Sequence, residues 1–277
     1  MEVQFIGQSR NGYTLLAFAG RGGNGVVYQA RRDADGALAA IKIVRPETGD
    51  DEYLRRVEQE ASIIDRLNHP AIVPLYDFWR DDLGGCLATR WMDGGSLHDT
   101  IKTHGALTMD DCLALLERIG EALHVAHQSG IIHRDVKPAN VLYDEAGMAY
   151  LGDFGIARTL HEGPALTMPG SILGSPGYIA PEQIMGETIG PHTDLYSLGI
   201  LTYEALAGRH PYGDARIRTE LYLKHIREPL PALGDHRPDL PLAVSAAVQR
   251  AAAKLPGERF ESVAAFVDAL HAAMQPE

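Results

Sequence analysis

The chain has 277 residues, of which 45% are hydrophobic, and this is enough apolar material for one large domain or two small lobes. The formal net charge of −12 argues against sequence-independent binding of DNA or RNA, because such binding needs Lys and Arg side chains against phosphates. Two cysteines, Cys86 and Cys112, cannot build a disulfide framework or a Cys-x-x-Cys metal site. The sequence contains neither a recognisable signal peptide nor an apolar run long enough to span a bilayer, so we expect a soluble protein.

Short strands and one main helix are predicted for the first third of the chain. Runs of β-branched and aromatic residues predict strands over residues 13–18, 26–30, 38–44, 72–79 and 86–91. Apolar residues at three- and four-residue steps predict a helix over residues 51–67, which Asn68-His69-Pro70 would end.

The rest of the chain is predicted to be mostly helical. Periodicity indicates helices over residues 110–129, 195–206, 242–253 and 262–274. The second of these is apolar nearly all round, which implies burial. We therefore predict an α+β fold with a small strand-rich lobe over residues 13–92 and a larger helical lobe over residues 93–274.

A glycine cluster follows the first predicted strand. Gly20, Gly22 and Gly25 form the pattern Gly-x-Gly-x-x-Gly, in which backbone N–H groups can approach phosphate oxygens closely, although plain turns also show it. A dinucleotide-binding fold needs a helix directly after the last glycine, and here a β-branched strand follows. No Gly-Lys-Ser/Thr completes a P-loop. The interpretation that remains is a glycine-rich hairpin lying over phosphates.

Lys42 stands inside an apolar predicted strand and has two interpretations. It either lies on the solvent face of an alternating strand, or it contacts nucleotide phosphates and pairs with a carboxylate of the following helix. Two helix residues, Glu58 and Glu60, are the candidates for that carboxylate. Glu60 lies roughly 40° from the centre of the apolar face and Glu58 roughly 120° away, so we predict that Glu60 faces Lys42.

The strongest signal is a loop over residues 133–140 that combines an acid, a base, an amide and a lysine within eight positions. Asp153-Phe154-Gly155 and Ala180-Pro181-Glu182 follow it. With the glycine cluster and Lys42 ahead of them, these motifs resemble in kind and order the signature set of the eukaryotic-type protein kinases, and they are most similar to bacterial members. The resemblance covers residues 13–274 and implies the bilobal kinase fold, with ATP as cofactor.

The resemblance implies a role for each polar residue of this loop. Asp135 would accept or orient the proton of the substrate hydroxyl, and Lys137 would neutralise the γ-phosphate during transfer. Asn140 and Asp153 would hold Mg²⁺, with Mn²⁺ as an alternative ion. Lys137, together with Gly174-Ser175 ahead of the Ala-Pro-Glu motif, resembles kinases that modify Ser and Thr.

The resemblance also implies a nucleotide site. Lys42, held by Glu60, would bind the α- and β-phosphates under the glycine hairpin. The adenine contacts implied are the side chains of Val27, Ala40, Leu142 and the gatekeeper Thr89, with hydrogen bonds to backbone groups of Arg90 and Met92.

Three further expectations concern supporting contacts. By resemblance, Asp194 would hold the backbone of the loop that contains Asp135, and Arg259 would pair with Glu182. Ser175 stands where threonine is more usual in the family, and because it keeps the hydroxyl we expect its contact with Asp135 and Lys137 to persist.

Regulation is expected through the loop ahead of the Ala-Pro-Glu motif. Arg134 precedes Asp135, and kinases with such an arginine are often activated by phosphorylation of that loop. Thr167, by its spacing, is the candidate for autophosphorylation, and a homodimer would allow one copy to modify the other. The alternative is that Thr167 is an ordinary polar residue.

Other functions remain as alternatives. A pseudokinase would use the same fold only for binding or scaffolding, but Lys42, Asp135 and Asp153 are all present. A small-molecule kinase is disfavoured by the complete segment over residues 174–183. His124 and His127 lie one helical turn apart but lack a third metal ligand at useful spacing. We expect protein substrates, no nucleic-acid partner and a cytoplasmic signalling role, either alone or as the cytosolic domain of a longer membrane receptor.

Overall fold

The computed structural model describes residues 5–22, 25–44, 51–67, 69–154 and 175–275. The described residues up to Asp93 form one compact unit, and those from Gly94 onward form a second. Each unit has its own set of buried apolar side chains.

The first unit is built on one antiparallel sheet of six strands. The strands are β1 (Ser9–Arg10), β2 (Tyr13–Gly22), β3 (Gly25–Arg32), β4 (Leu38–Val44), β5 (Leu75–Asp81) and β6 (Gly84–Arg90), in the spatial order β1-β2-β3-β4-β6-β5. All five predicted strands are present, but β5 begins at Leu75 rather than at residue 72. Pro74, which precedes it, has no N–H to give to a strand ladder.

The two faces of this sheet carry different residues. Ile41 and Ile43 are buried on one face, and Lys42 between them lies on the other, as the alternation of a strand requires. Helix α1 (Asp51–Arg66) packs on the face of Lys42, because its Val57 clusters with Leu87, which lies directly opposite Lys42 on β6. The predicted helix is therefore confirmed, and its apolar stripe covers the sheet.

The second unit is mainly helical. It contains α2 (Leu97–His104), α3 (Met109–Gln128), α4 (Pro181–Met185), α5 (Pro191–Ala207), α6 (Arg218–Arg227), α7 (Leu242–Ala251), α8 (Val263–Met274) and the hairpin of β7 (Val141–Tyr143) and β8 (Ala149–Leu151). Residues 193–206 of α5 are all buried, as its composition predicts. Within the described part of the chain, no helix combines the length and the apolar character needed to cross a membrane.

Three helices of the second unit, α2, α4 and α6, were not predicted, and α4 has only five residues. Helix α2 buries only Leu97 and Ile101, so its eight residues contain a single apolar repeat. Helix α6 buries only Tyr222 and His225, and a buried histidine counts as polar in a search for apolar periodicity.

Candidate active site

The loop that contains Asp135 is held by Asp194, a fully buried carboxylate in the first turn of α5. Asp194 Oδ2 accepts from His133 N–H at 2.8 Å, and Oδ1 accepts from Arg134 N–H at 2.7 Å. His127 Nε2 lies 2.8 Å from the same Oδ2. These three partners compensate for the burial of a charge that would otherwise be costly. The predicted contact between Asp194 and the loop backbone is confirmed.

Arg134 has a left-handed backbone conformation, with φ of 64°. Such a conformation costs a non-glycine residue about 1–3 kcal/mol and persists only where its surroundings enforce it. Its N–H is bound by Asp194, and its carbonyl accepts from Gln183 Nε2 at 3.2 Å. Gln183 Oε1 accepts in turn from Ala180 N–H at 3.0 Å. The loop is therefore tied both to α5 and to the start of α4.

His133 links this loop to the segment after β8. Its Nδ1 accepts from Asp135 N–H at 3.2 Å, so Nε2 carries the proton and donates to Gly152 O at 3.0 Å. Burial lowers the pKa of His133, which keeps the ring neutral, as this arrangement requires. The ring also packs on Phe154, with centroids 4.6 Å apart.

Two polar side chains converge on Asp135, which is 7% exposed. Lys137 Nζ lies 2.7 Å from Asp135 Oδ2, and Asn140 Nδ2 donates to the same oxygen at 3.1 Å and to Asp135 O at 2.8 Å. Lys137 Nζ also donates to Ser175 Oγ at 2.6 Å. The expected contact between Ser175 and Lys137 is confirmed, so one ammonium group bridges a carboxylate and a hydroxyl.

The β7–β8 hairpin brings Asn140 and Asp153 to the same end. The two strands pair antiparallel, and Gly152 N–H donates to Asn140 O at 2.9 Å. Asp153 is exposed and has φ of 58°, a conformation that clusters at functional sites when it occurs outside glycine. Because Asn140 donates to Asp135 through its amide nitrogen, its Oδ1 is the atom suited to a ligand.

A metal ion held here would depend on few protein ligands. Among the described residues, no group of three or more His, Cys, Asp or Glu is arranged to hold a metal. The carboxylate of Asp153 and the amide oxygen of Asn140 make up a smaller set than this. Oxygens of this kind suit Mg²⁺, which takes its remaining ligands from water and phosphates. His124 and His127 are engaged elsewhere, because His127 binds Asp194 and His124 hydrogen-bonds within α3.

In the first unit, four residues predicted to line the nucleotide site share one face of the sheet. Val27 lies directly opposite Lys42, and Ala40 lies directly opposite Thr89. Ala40 and Lys42 are two residues apart on β4, so all four side chains are on the same side. Gly20 pairs with Val27, which places the start of the glycine hairpin next to this set.

The turn of the glycine hairpin has a structural requirement of its own. Gly22 pairs with Gly25 across the turn, and Gly25 has φ of 144°. A Cβ at Gly25 would lie 2.1 Å from Ile43 O, so no side chain fits there. Glycine at this position is therefore needed by the sheet itself, whatever lies against the hairpin.

The other predicted site residues divide between the described and the undescribed parts. Arg90 ends β6 and Met92 is buried two residues later, in the first unit, whereas Leu142 belongs to β7 in the second. The side chain of Glu60 and the whole of Thr167 lie outside the described residues, so the roles predicted for them stay predictions.

The pair of Glu182 and Arg259 is fully buried, at 1% and 3% exposure. Arg259 donates from two nitrogens to the two oxygens of Glu182, each at 2.8 Å, and Thr193 Oγ1 donates to Glu182 Oε1 at 2.9 Å. Burial alone would raise the pKa of Glu182, but the hydrogen bonds and charge of Arg259 outweigh it and hold the pKa below its usual value. The predicted pair is confirmed.

Two contacts of the segment that follows Ser175 were not predicted from the sequence. His210, in the loop after α5, places Nε2 2.6 Å from Gly177 O, and the Tyr178 hydroxyl donates to Glu204 Oε2 at 2.5 Å. The acceptor for His210 is a backbone carbonyl more than thirty positions away. Every residue type has a backbone carbonyl, so the sequence contains no signal for this contact.

Comparison with known proteins gives the relatives of this chain. A family model described as "Protein kinase domain" matches residues 13–254. Serine/threonine-protein kinase PknA of Mycobacterium tuberculosis (strain ATCC 25618 / H37Rv) is 36% identical over 267 residues, which cover 94% of this chain and 61% of PknA. PknD of the same strain is 35% identical over 274 residues, 98% of this chain and 41% of PknD. The chain thus spans about three fifths or less of these relatives.

A solved structure gives an independent comparison of fold. The crystal structure of Rad53 1–466 in complex with AMP-PNP matches with a TM-score of 0.78 at 24% identity, covering 95% of this chain and 66% of that one. At this identity the likeness shows the fold alone. A strand-rich first part followed by a mostly helical second part confirms the predicted α+β class.

Proposed function

Because the chain belongs to the protein kinase domain family, we propose that it is a serine/threonine protein kinase that transfers the γ-phosphate of ATP to hydroxyl groups of proteins. The observation that carries the proposal is the bridge of Lys137 between Asp135 and Ser175, in a loop anchored by Asp194. The bridge holds a proton acceptor and a positive charge side by side, which are the two groups that phosphoryl transfer to a hydroxyl needs.

Phosphoryl transfer depends mainly on positioning and on neutralising charge. Asp135 accepts a hydrogen bond from the substrate hydroxyl, aims its oxygen at the γ-phosphorus and takes the proton as the new bond forms. Asn140 and Lys137 both hold Asp135 Oδ2, so the carboxylate is oriented before the substrate arrives. Lys137 supplies positive charge to the transferred phosphoryl group. Because its ammonium group also donates to Ser175, it is not paired with the carboxylate of Asp135 alone.

We also propose the nucleotide contacts that the family resemblance implies. Lys42 binds the α- and β-phosphates and is held by Glu60, and N–H groups of the glycine hairpin cover the phosphates. Val27, Ala40 and Thr89 lie on the same face of the sheet as Lys42, which supports this proposal. The proposed adenine contacts are Val27, Ala40, Thr89 and Leu142, with hydrogen bonds to backbone groups of Arg90 and Met92.

The divalent ion that we propose is Mg²⁺, with Mn²⁺ as an alternative, held by Asn140 Oδ1 and the carboxylate of Asp153. Both are hard oxygen donors at one end of the β7–β8 hairpin, which supports the assignment. When bound, the ion neutralises charge on the phosphates.

The proposed setting is signalling in a bacterial cytoplasm, either alone or as the cytosolic domain of a longer membrane receptor. Proteins are the proposed substrates. We also propose that phosphorylation of Thr167, by a second copy within a homodimer, provides a charge for Arg134.

The test is transfer of labelled phosphate from Mg·ATP to a generic acceptor protein, followed by identification of the modified amino acid. The unmodified chain should label Ser or Thr, and Asp135→Asn should lose at least about 100-fold in rate, the scale of general-base effects. Asp268→Asn, a change at an exposed position of α8, is the matched control and should keep its rate.

Two outcomes would contradict the proposal. Stabilisation by Mg·ATP in a melting experiment without any transfer would favour the pseudokinase alternative. Full transfer by Asp135→Asn would show that another group orients the hydroxyl.

A further inference from the structure

The segment that begins at Ser175 is supported from the loop that follows α5. His210 follows α5 and its Nε2 lies 2.6 Å from the carbonyl of Gly177. Its Nδ1 accepts from Tyr212 N–H at 3.1 Å. A neutral imidazole has one donor and one acceptor, so Nε2 carries the proton and donates to Gly177.

The surroundings of His210 keep its ring in this state and orientation. Burial lowers the pKa of His210, which favours the neutral ring. Its ring stands edge-on to Tyr178, with centroids 5.3 Å apart. A Cβ on Gly177 would lie 2.9 Å from His210 Nε2, so the absence of a side chain at Gly177 makes room for the contact.

This contact lies two residues from the bridge on which transfer depends. Ser175 Oγ accepts from Lys137 Nζ at 2.6 Å, and Lys137 binds Asp135 Oδ2 at 2.7 Å. Only Pro176 lies between Gly177 and Ser175, and its ring fixes φ, so a movement of Gly177 is passed on to Ser175. The Ser175 hydroxyl must stay in place if Lys137 is to remain shared, because displacements of about 1 Å near a reacting centre can cost up to about 100-fold in rate.

We propose that His210 is a positioning residue for phosphoryl transfer, which fixes Gly177 through its Nε2–H and thereby holds Ser175 against Lys137. This inference rests on the proposed kinase function. It assigns no contact with substrate or nucleotide to His210, so it predicts a change in turnover and not in affinity for ATP.

Two substitutions separate the two nitrogens of the ring. His210→Gln places an amide nitrogen near the position of Nε2, so it keeps the donor for Gly177. His210→Asn places its amide near Nδ1, so it keeps an acceptor for Tyr212 but loses the donor. Gly177→Ala attacks the same contact from the other side, because its Cβ would displace the ring. His98→Asn, at an exposed position of α2, is the matched control.

The assay measures kcat and KM for ATP with a peptide acceptor, together with the melting temperature. We expect His210→Asn and Gly177→Ala to lose about tenfold in kcat, the scale of one hydrogen bond, with KM for ATP within about twofold of the unmodified value. His210→Gln should stay within about twofold in kcat, and so should His98→Asn. The melting temperatures of His210→Asn and His210→Gln should agree, because each variant keeps one of the two bonds.

Equal losses of kcat in His210→Asn and His210→Gln would overturn the inference, and so would full turnover by His210→Asn. If His210→Asn does not fold, Gly177→Ala decides: a loss of kcat at constant KM for ATP supports the inference, and unchanged kcat overturns it. Failure of the proposed function would look different, because the unmodified chain would then show no transfer, and the role of His210 would fall with it.

Discussion

Replacing Arg259 by alanine should destabilise the second unit by about 3–5 kcal/mol, because Glu182 would keep a buried charge without its cation. The two side chains are almost inaccessible, at 3% and 1% exposure, and two contacts of 2.8 Å join them. Arg259 also donates to the carbonyls of Ala253, Lys254 and His192, at 2.8, 3.1 and 2.7 Å. Alanine removes these donors as well, so the estimate belongs at the upper part of the range.

Calorimetric melting at neutral pH measures this effect. A loss of 1 kcal/mol lowers the melting temperature of a unit of this size by about 2–4 °C, so we expect a decrease of about 8–20 °C. Arg32→Ala is the matched control, because its pair with Asp35 has side chains 32% and 50% exposed and should contribute less than about 1 kcal/mol. A decrease of less than about 2 °C for Arg259→Ala would show that the buried pair does not stabilise the second unit.

The same variant should respond differently to acid. Folding lowers the pKa of Glu182 in the unmodified chain, so the stabilisation that comes from its ionised form is complete above the unfolded value of 4.5. That stabilisation is lost as the pH falls through the lower folded pKa. In Arg259→Ala, the ionised carboxylate of Glu182 has no cation beside it, so its ionisation does not stabilise the folded state. Burial without the cation raises the pKa of Glu182 in the variant. The difference in melting temperature should therefore begin to shrink as the pH falls from neutral towards 4.5, and it should shrink further below that value.

Two further changes test the site and its support. Ser175→Ala should lower kcat about fivefold to tenfold because Lys137 loses its hydroxyl partner, whereas Ser175→Thr keeps the hydroxyl and should keep turnover; equal kcat in the two variants would contradict this. Burial, aided by the charge of Arg259, lowers the pKa of Lys254 to about 8 from 10.5, so between these values an unfolded chain binds more protons than the folded one. The unmodified protein should therefore gain stability relative to Lys254→Met as the pH rises from about 8 to 10.5. A difference in urea midpoint between the two proteins that stays constant over this pH range would contradict the prediction.

Elements whose apolar residues repeat several times could be predicted from the sequence, and short or partly polar ones could not. Helix α5 is apolar nearly all round and is buried over residues 193–206, as predicted. Helix α2 has a single apolar repeat, but its start carries a readable signal: Ser96 accepts from Asp99 N–H, and Asp99 accepts from Ser96 N–H. Such a capping box at residues 96–99 indicates a helix where periodicity is too short to do so.

The residues of the candidate site also differ in whether the sequence could predict them. Asp135, Lys137 and Asn140 are close in sequence, so one loop carries them and a motif finds them. Asp194 was predicted only through resemblance to a family, since no local pattern connects it with a loop about sixty positions earlier. His210 could not be predicted, because its partner is a main-chain carbonyl that any residue type would provide.

The contacts of the segment from Ser175 to Glu182 differ in burial, and burial decides whether the loss of a contact lowers stability or turnover. The pair of Glu182 and Arg259 is closed to water, so nothing can replace a lost partner and the cost falls on folding. The bonds at Ser175 and Gly177 are only partly buried, so water can satisfy the atoms left behind while the segment shifts. We therefore expect turnover and stability to respond separately: changes at His210 and Ser175 should reduce kcat with little effect on melting, and a change at Arg259 should lower the melting temperature first.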